Sequence, residues 1–82
     1  MVRELKLKFT GNGEVKGFEY TCLKMTDSGY LYRVECYNRV WYEVFRRKVG
    51  VYGVRYPRSK SFGVWAWSYS CIGRAVVQLM CL

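Results

Sequence analysis

Basic and aromatic side chains are mixed in one segment of the sequence, residues 46–60, which we call the basic arm. Its six cations are Arg46, Arg47, Lys48, Arg55, Arg58 and Lys60. Two tyrosines, Tyr52 and Tyr56, are interspersed among them. Cations neutralise nucleic-acid phosphates and release counterions, and exposed aromatic rings stack on unpaired bases. The segment therefore predicts a nucleic-acid site, with the cations on phosphates and the tyrosines stacked on bases or packed on sugars.

The excess of positive charge belongs to one half of the chain. The 82 residues include 14 Lys or Arg and 6 Asp or Glu, for a net charge of +8. All six carboxylates fall in residues 1–43, whereas residues 44–82 hold seven cations and no carboxylate. This asymmetry favours a polyanion, DNA or RNA, or an acidic protein face as the partner. A solvated surface without a partner is the simpler explanation, but no opposite charge is interleaved with the cations.

Catalytic chemistry has little support in these residues. The chain has no His, which excludes a His-based triad and a His general base. The potential nucleophiles Cys22, Cys36 and Ser70 therefore lack that base. The carboxylates occur singly, mostly on strand faces that we expect to be solvated. We expect no enzymatic activity and no cofactor.

The cysteines and the chain start bear on metal binding and compartment. No C-x-x-C spacing links Cys22, Cys36, Cys71 and Cys81, and structural zinc ligands usually occur in close pairs. A disulfide framework needs an oxidising compartment, so we expect small buried thiols. The start, MVRELKLKF, is charged, and no apolar run has the length of a signal peptide or a membrane span. We expect a cytoplasmic location and no membrane contact.

Alternating apolar residues predict four strands joined by short turns. Leu5, Leu7 and Phe9 would share one strand face, and a second strand would run from Glu14 to Met25. Turns are predicted at residues 11–13, 27–29 and 38–39. The third strand places Tyr30, Tyr32, Val34 and Cys36 on one face. The fourth, residues 40–49, carries large apolar groups on both faces and should be internal and covered on both sides.

The rest of the chain predicts a fifth strand and a helix. The basic arm, punctuated by Gly50, Gly53 and Pro57, is interpreted as a partly extended loop or ragged hairpin, with Tyr52 and Tyr56 exposed. Residues 62–69 return as a strand whose one face holds Trp65, Trp67 and Tyr69. Ser70 is a candidate N-cap for a helix with its apolar stripe at Ile72, Ala75, Val76, Leu79 and Met80. The prediction is a single α+β domain over residues 1–82: a curved antiparallel sheet of about five strands with one C-terminal helix packed on it.

Two resemblances add to this interpretation. The segments YEVFRRK (42–48) and YPRSKSFGVWAWSYS (56–70), followed by an apolar helix, resemble a group of small uncharacterised bacterial and phage proteins with a YP-x-S-x-x-FG-x-WAW element. That resemblance implies a phage or mobile-element protein, and a structural role for the strand and helix. The order of strands, basic arm, aromatic strand and helix is similar to AP2-type and integrase arm-binding domains. This second resemblance implies DNA binding through the sheet face around residues 46–58, although this chain has two additional N-terminal strands.

A protein partner is the alternative to nucleic acid. Tyr, Trp and Arg dominate the energetics of protein interfaces, and this chain is rich in all three. The same Arg and Tyr surface could serve a modulator or inhibitor that binds an acidic partner, for example a host defence complex. Homodimerisation through an open sheet edge is compatible with either function.

Overall fold

A computed structural model of the chain describes residues 5–11, 16–51, 53–57 and 59–82. The strands are β1 (Lys8–Thr10), β2 (Glu19–Met25), β3 (Gly29–Cys36), β4 (Arg39–Arg46), β5 (Val49–Gly50), β6 (Gly53–Val54) and β7 (Ala66–Tyr69). A 3-10 helix spans Ser59–Ser61, and helix α1 spans Ile72–Met80. Five strands form an antiparallel sheet in the order β1-β2-β3-β4-β7, and β5 and β6 form a separate hairpin. The predicted α+β architecture, with one C-terminal helix on the sheet, is confirmed.

Each face of the sheet has its own hydrophobic cluster. On the arm-side face, six buried residues meet: Tyr20, Tyr30, Tyr32, Val34, Phe45 and Ala66. On the helix-side face, Leu31 and Val44 pack against Ala75 and Leu79 of α1. Strand periodicity explains the division, because adjacent residues of a strand point to opposite faces. The prediction that β4 is internal and covered on both sides is confirmed, since Val44 and Phe45 are both fully buried on opposite faces.

The first two strands are shorter than the alternation predicts. Phe9 and Leu5 pack on the arm-side cluster as expected, but Leu7 is exposed and β1 begins only at Lys8. Strand β2 begins at Glu19, after a turn at residues 16–17. The predicted turn at residues 11–13 and the predicted start at residue 14 lie largely outside the described residues.

The turn between β3 and β4 lies one residue earlier than expected. The ladder closes at the pair Cys36 and Arg39, so Tyr37 and Asn38 form the turn, not Asn38 and Arg39. The φ of Tyr37 is +55°, in the left-handed region. Alternation alone does not reveal this shift, because Arg39 still lies on the strand face expected for an odd-numbered residue of β4.

The predicted face of the last strand is wrong for Trp65. Trp65 precedes β7 and packs on the arm-side cluster, 6.5 Å from Phe45 between ring centroids. Trp67, paired with Val44, belongs with Tyr69 to the helix-side face. Residues 63–65 form a turn in which Gly63 has a φ of +87°, and this turn interrupts the period of two.

Helix α1 begins without the expected cap. The residue before the helix is Cys71, not Ser70, and its side chain makes no capping hydrogen bond to the first turn. Ala75, Leu79 and the half-buried Val76 face the sheet as predicted, whereas Ile72 and Met80 are exposed at the helix ends. Fewer residues of the predicted apolar stripe contact the sheet, because the helix is only nine residues long and packs through its middle.

Gly29 allows the end of the chain to approach the sheet. A methyl group at Gly29 would lie 2.5 Å from Leu82 Cδ1 and 2.6 Å from the Phe45 backbone oxygen. We expect Gly29→Ala to lower the free energy of unfolding by about 1–3 kcal/mol, since overpacking forces neighbouring atoms apart. Urea denaturation measures this change.

Gly73 offers the matched control in the same fold. A methyl group there would meet only the Cys71 sulfur at 3.7 Å, and the position is helical and exposed. Gly73→Ala should raise the free energy of unfolding by about 0.4–1 kcal/mol, since it restricts the unfolded chain. Equal effects of the two substitutions would contradict the close approach at Gly29.

Candidate nucleic-acid interface

The basic arm folds over the arm-side face through a half-buried tyrosine. Tyr56, predicted to be exposed, lies among aromatic rings, with its centroid 4.9 Å from Tyr20 and 5.1 Å from Phe45. Phe9 contacts the same ring edge-on at 5.6 Å. Val54 of β6 packs on this cluster too. The prediction that Tyr56 is exposed is wrong, because the open sheet face needs an apolar cover and the arm supplies it.

A buried carboxylate holds Tyr56 in place. Glu43 is 7% exposed, and its two oxygens accept hydrogen bonds from the Tyr56 hydroxyl and, at 2.8 Å, from Trp41 Nε1. Burial raises the pKa of Glu43, and the two hydrogen bonds partly oppose the rise. Burial and the adjacent carboxylate raise the pKa of Tyr56, and burial likewise raises the pKa of Tyr20 to about 12. The tyrosines therefore remain hydroxyl donors at neutral pH.

Glu43 is the residue that the sequence analysis missed. The carboxylates were expected on solvated faces, but Glu43 alternates with Trp41 and Phe45, and that shared face is the arm-side face. The signal was present in the alternation, since a carboxylate between two large aromatics on an internal strand is rarely solvated.

The outward face of the β5–β6 hairpin carries two opposed cations. Val49 pairs with Val54 and Gly50 with Gly53, and the Arg55 amide donates to the Lys48 oxygen at 2.8 Å. Lys48 and Arg55 are therefore directly opposite each other, on the same face as the two glycines. Because Val54 faces the core, Lys48 and Arg55 face away from it, and both are exposed.

Gly50 and Gly53 form the neighbouring pair on the same face of the hairpin as these cations. A side chain at Gly50 would meet the Arg55 stem, since an added methyl would lie 2.8 Å from Arg55 Cδ. Lys48 Nζ lies 5.3 Å from the centroid of the Trp65 ring, within cation–π range. Among the described residues the ion pair is Arg33 with Glu35, at 2.8 Å, and no carboxylate pairs with Lys48 or Arg55.

The other predicted site residues are only partly assembled around this pair. Arg46, the last residue of β4, is exposed, and its amide donates to the Trp65 oxygen at 2.9 Å. Arg47 is directed elsewhere and lines a depression of about 460 Å³ with Met25, Thr26 and Asp27. Lys60 is exposed in the 3-10 helix. Tyr52 and Arg58 lie outside the described residues.

The cysteines differ from the expectation of buried thiols. All four are free, with Cys22 and Cys36 half-buried and Cys71 and Cys81 exposed. Within the described ranges, no group of three His, Cys, Asp or Glu side chains is placed to hold a metal ion. No helix in the described part of the chain is long and apolar enough to cross a bilayer.

Comparison with protein-family models, with curated proteins and with solved structures finds no match to this chain.

Acidification should stabilise the fold through Glu43. Because burial raises the pKa of this carboxyl above its ordinary value of 4.5, the folded chain binds more protons than the unfolded chain between the two pKa values. The stability due to this group is greatest below pH 4.5 and is lost as the pH rises through the folded-state pKa. Relative to Glu43→Gln, the free energy of unfolding of the wild type should therefore increase as the pH falls from 7 towards 4.5. Urea denaturation across this range tests it, and a constant difference would contradict a buried ionisable Glu43.

Proposed function

We propose that this chain binds nucleic acid, DNA or RNA, without catalysing a reaction on it, and that the outward face of the β5–β6 hairpin holds the phosphates. The observation that supports the proposal is the opposed pair Lys48 and Arg55, which no carboxylate neutralises among the described residues. Like charges directly opposite each other in a hairpin are destabilising. A bound phosphate between the two cations would remove that repulsion.

The glycine pair of the hairpin is compatible with a bound polyanion. Gly50 and Gly53 form the same-face pair beside the two cations and carry no side chains, so the Arg55 stem lies over Gly50 and a phosphodiester backbone meets no other side chain of that pair. The Arg55 guanidinium can donate two parallel hydrogen bonds to phosphate oxygens, and Lys48 supplies a point charge. These contacts follow the backbone and read no bases, so the proposal is for binding with little sequence preference.

Further cations extend the proposed surface along the arm. Arg46 and Lys60 are exposed, and Arg58 belongs to the same segment of the sequence. Tyr56 takes a structural part in the proposal, because its burial against Glu43 fixes the arm that presents the cations. Four to six phosphate contacts would give a log-log salt dependence of roughly −4 to −5 on duplex DNA.

A cytoplasmic location is part of the proposal. The four free thiols support it, since thiols stay reduced there. An acidic protein surface is the alternative partner for the same cations. In that case the chain would act as a modulator that binds a host complex through this Arg and Tyr surface.

Replacing Lys48 and Arg55 together should weaken nucleic-acid binding and its salt dependence. Lys48→Ala with Arg55→Ala should reduce the log-log salt slope by about two, because each phosphate contact contributes about one. Fluorescence anisotropy of labelled single-stranded and duplex oligonucleotides across a salt series measures both slope and affinity. Both side chains are exposed, so the fold should be retained.

Arg74→Ala is the matched control for the loss of charge. Arg74 is exposed on α1, which covers the helix-side face, whereas the hairpin lies on the arm-side face. This variant should leave the salt slope nearly unchanged. Because the hairpin variant removes two charges and the control removes one, an equal loss per charge removed would indicate only non-specific attraction to net charge. No binding at low salt would overturn the proposal and favour the acidic protein partner.

A further inference from the structure

The described aromatic residues in the basic arm and next to it, Tyr56 and Trp65, are not available to stack on bases. Tyr56 is packed within the arm-side cluster, and Trp65 packs on that cluster with Lys48 over its ring. Among the residues that the structure describes, the base contacts of a single strand held at the hairpin would therefore lie elsewhere. The turn between β3 and β4 offers a ring of the required kind, because Tyr37 is 94% exposed.

Tyr37 occupies a backbone position that disfavours it. Its φ of +55° lies in the left-handed region, where Gly, Asn and Asp are the residues with low strain. The next residue is Asn38, yet the large ring occupies the left-handed position. The bulky, apolar-bodied side chain is exposed at the tip of the hairpin. Observed strain of this kind is concentrated at binding sites.

The surroundings of Tyr37 form a mixed aromatic and cationic depression. It measures about 470 Å³ and is lined by Phe18, Cys36, Tyr37, Asn38, Arg39 and Trp41. The Phe18 and Trp41 rings meet edge-on with centroids 5.2 Å apart, and the Trp41 indole is held by its hydrogen bond to Glu43. Arg39 is exposed, and no ion pair joins it to a carboxylate in the part of the chain that the structure describes.

The side chains around this depression suit a ligand that has both a planar ring and an anionic group. The ring of Tyr37 provides a stacking surface, the fixed Phe18 and Trp41 pair provides an apolar floor, and Arg39 provides a charge for a phosphate. We propose that the β3–β4 turn binds an unpaired nucleotide of a single strand, with its base on Tyr37 and its phosphate on Arg39. This inference rests on the proposed function and adds single-stranded nucleic acid to it as the ligand class.

The two sites are the right distance apart for one strand. Arg39 begins β4 and Arg46 ends it, so the turn and the start of the basic arm are separated by about 23 Å at the rise of a strand. That length corresponds to roughly seven nucleotides at the helical rise of 3.4 Å, and to fewer in an extended strand. A single strand can therefore contact both sites at once.

Tyr37→Asn tests the inference without endangering the fold, because Asn tolerates the left-handed conformation. The variant should be at least as stable as the wild type in urea. It should bind a single strand of about 12 nucleotides roughly 5- to 150-fold more weakly, the range expected for the loss of one stacked base. Affinity for the duplex of the same sequence should be unchanged, since its bases are already stacked. Tyr37→Phe retains the ring and should bind the single strand about as tightly as the wild type does.

A competition measurement and the comparison with the hairpin variant separate the possible outcomes. A free nucleoside monophosphate should compete with the single strand only weakly if the polymer is the ligand, and strongly if the turn binds mononucleotides. If Tyr37→Asn weakens single-strand binding, either result of the competition supports a nucleotide site at the turn. Unchanged single-strand affinity in Tyr37→Asn overturns the inference, while the proposed function stands if Lys48→Ala with Arg55→Ala still weakens binding. If the wild type binds no nucleic acid, the proposed function and this inference both fail.

Discussion

The contact between Glu43 and Tyr56 is the constraint on which the arrangement of this molecule depends. One face of the sheet is covered by α1, but the other would expose several aromatic rings without the basic arm. Tyr56 inserts among those rings and donates its hydroxyl to Glu43, whose other oxygen is bound by Trp41. A buried carboxylate is costly unless it is hydrogen-bonded, so Glu43 favours the arrangement in which the arm is docked.

Docking of the arm determines which charges remain outside. With Val54 and Tyr56 turned inward, the alternation of the β5–β6 hairpin turns Lys48 and Arg55 outward, beside the pair Gly50 and Gly53. The same hydrogen-bond chain reaches Trp41, beside the turn that presents Tyr37. One buried polar group therefore supports both proposed contacts with nucleic acid, although it touches neither ligand.

The fold was largely predictable from the sequence, and the site was not. Alternation predicted the arm-side and helix-side faces of β3 and β4, because a period of two survives any uncertainty at strand ends. It failed at Trp65, where a turn interrupts the strand, and at the helix cap, where local backbone geometry decides. The clustering of cations identified the arm, but the packing of Tyr56 into the cluster and the burial of Glu43 depend on tertiary contacts across the sheet. Tyr37 escaped notice because the turn register, and thus its left-handed conformation, is set by pairing with β4.

The most direct test of this account is a backbone amide NMR titration of the isotope-labelled chain with a single strand of about 12 nucleotides, longer than the roughly seven that span β4 at the helical rise. The account predicts that shift changes concentrate at Lys48, Gly50, Gly53 and Arg55 and around Tyr37, while the amides of α1 stay in place. Changes confined to α1, or none at a saturating concentration of the strand, would contradict it.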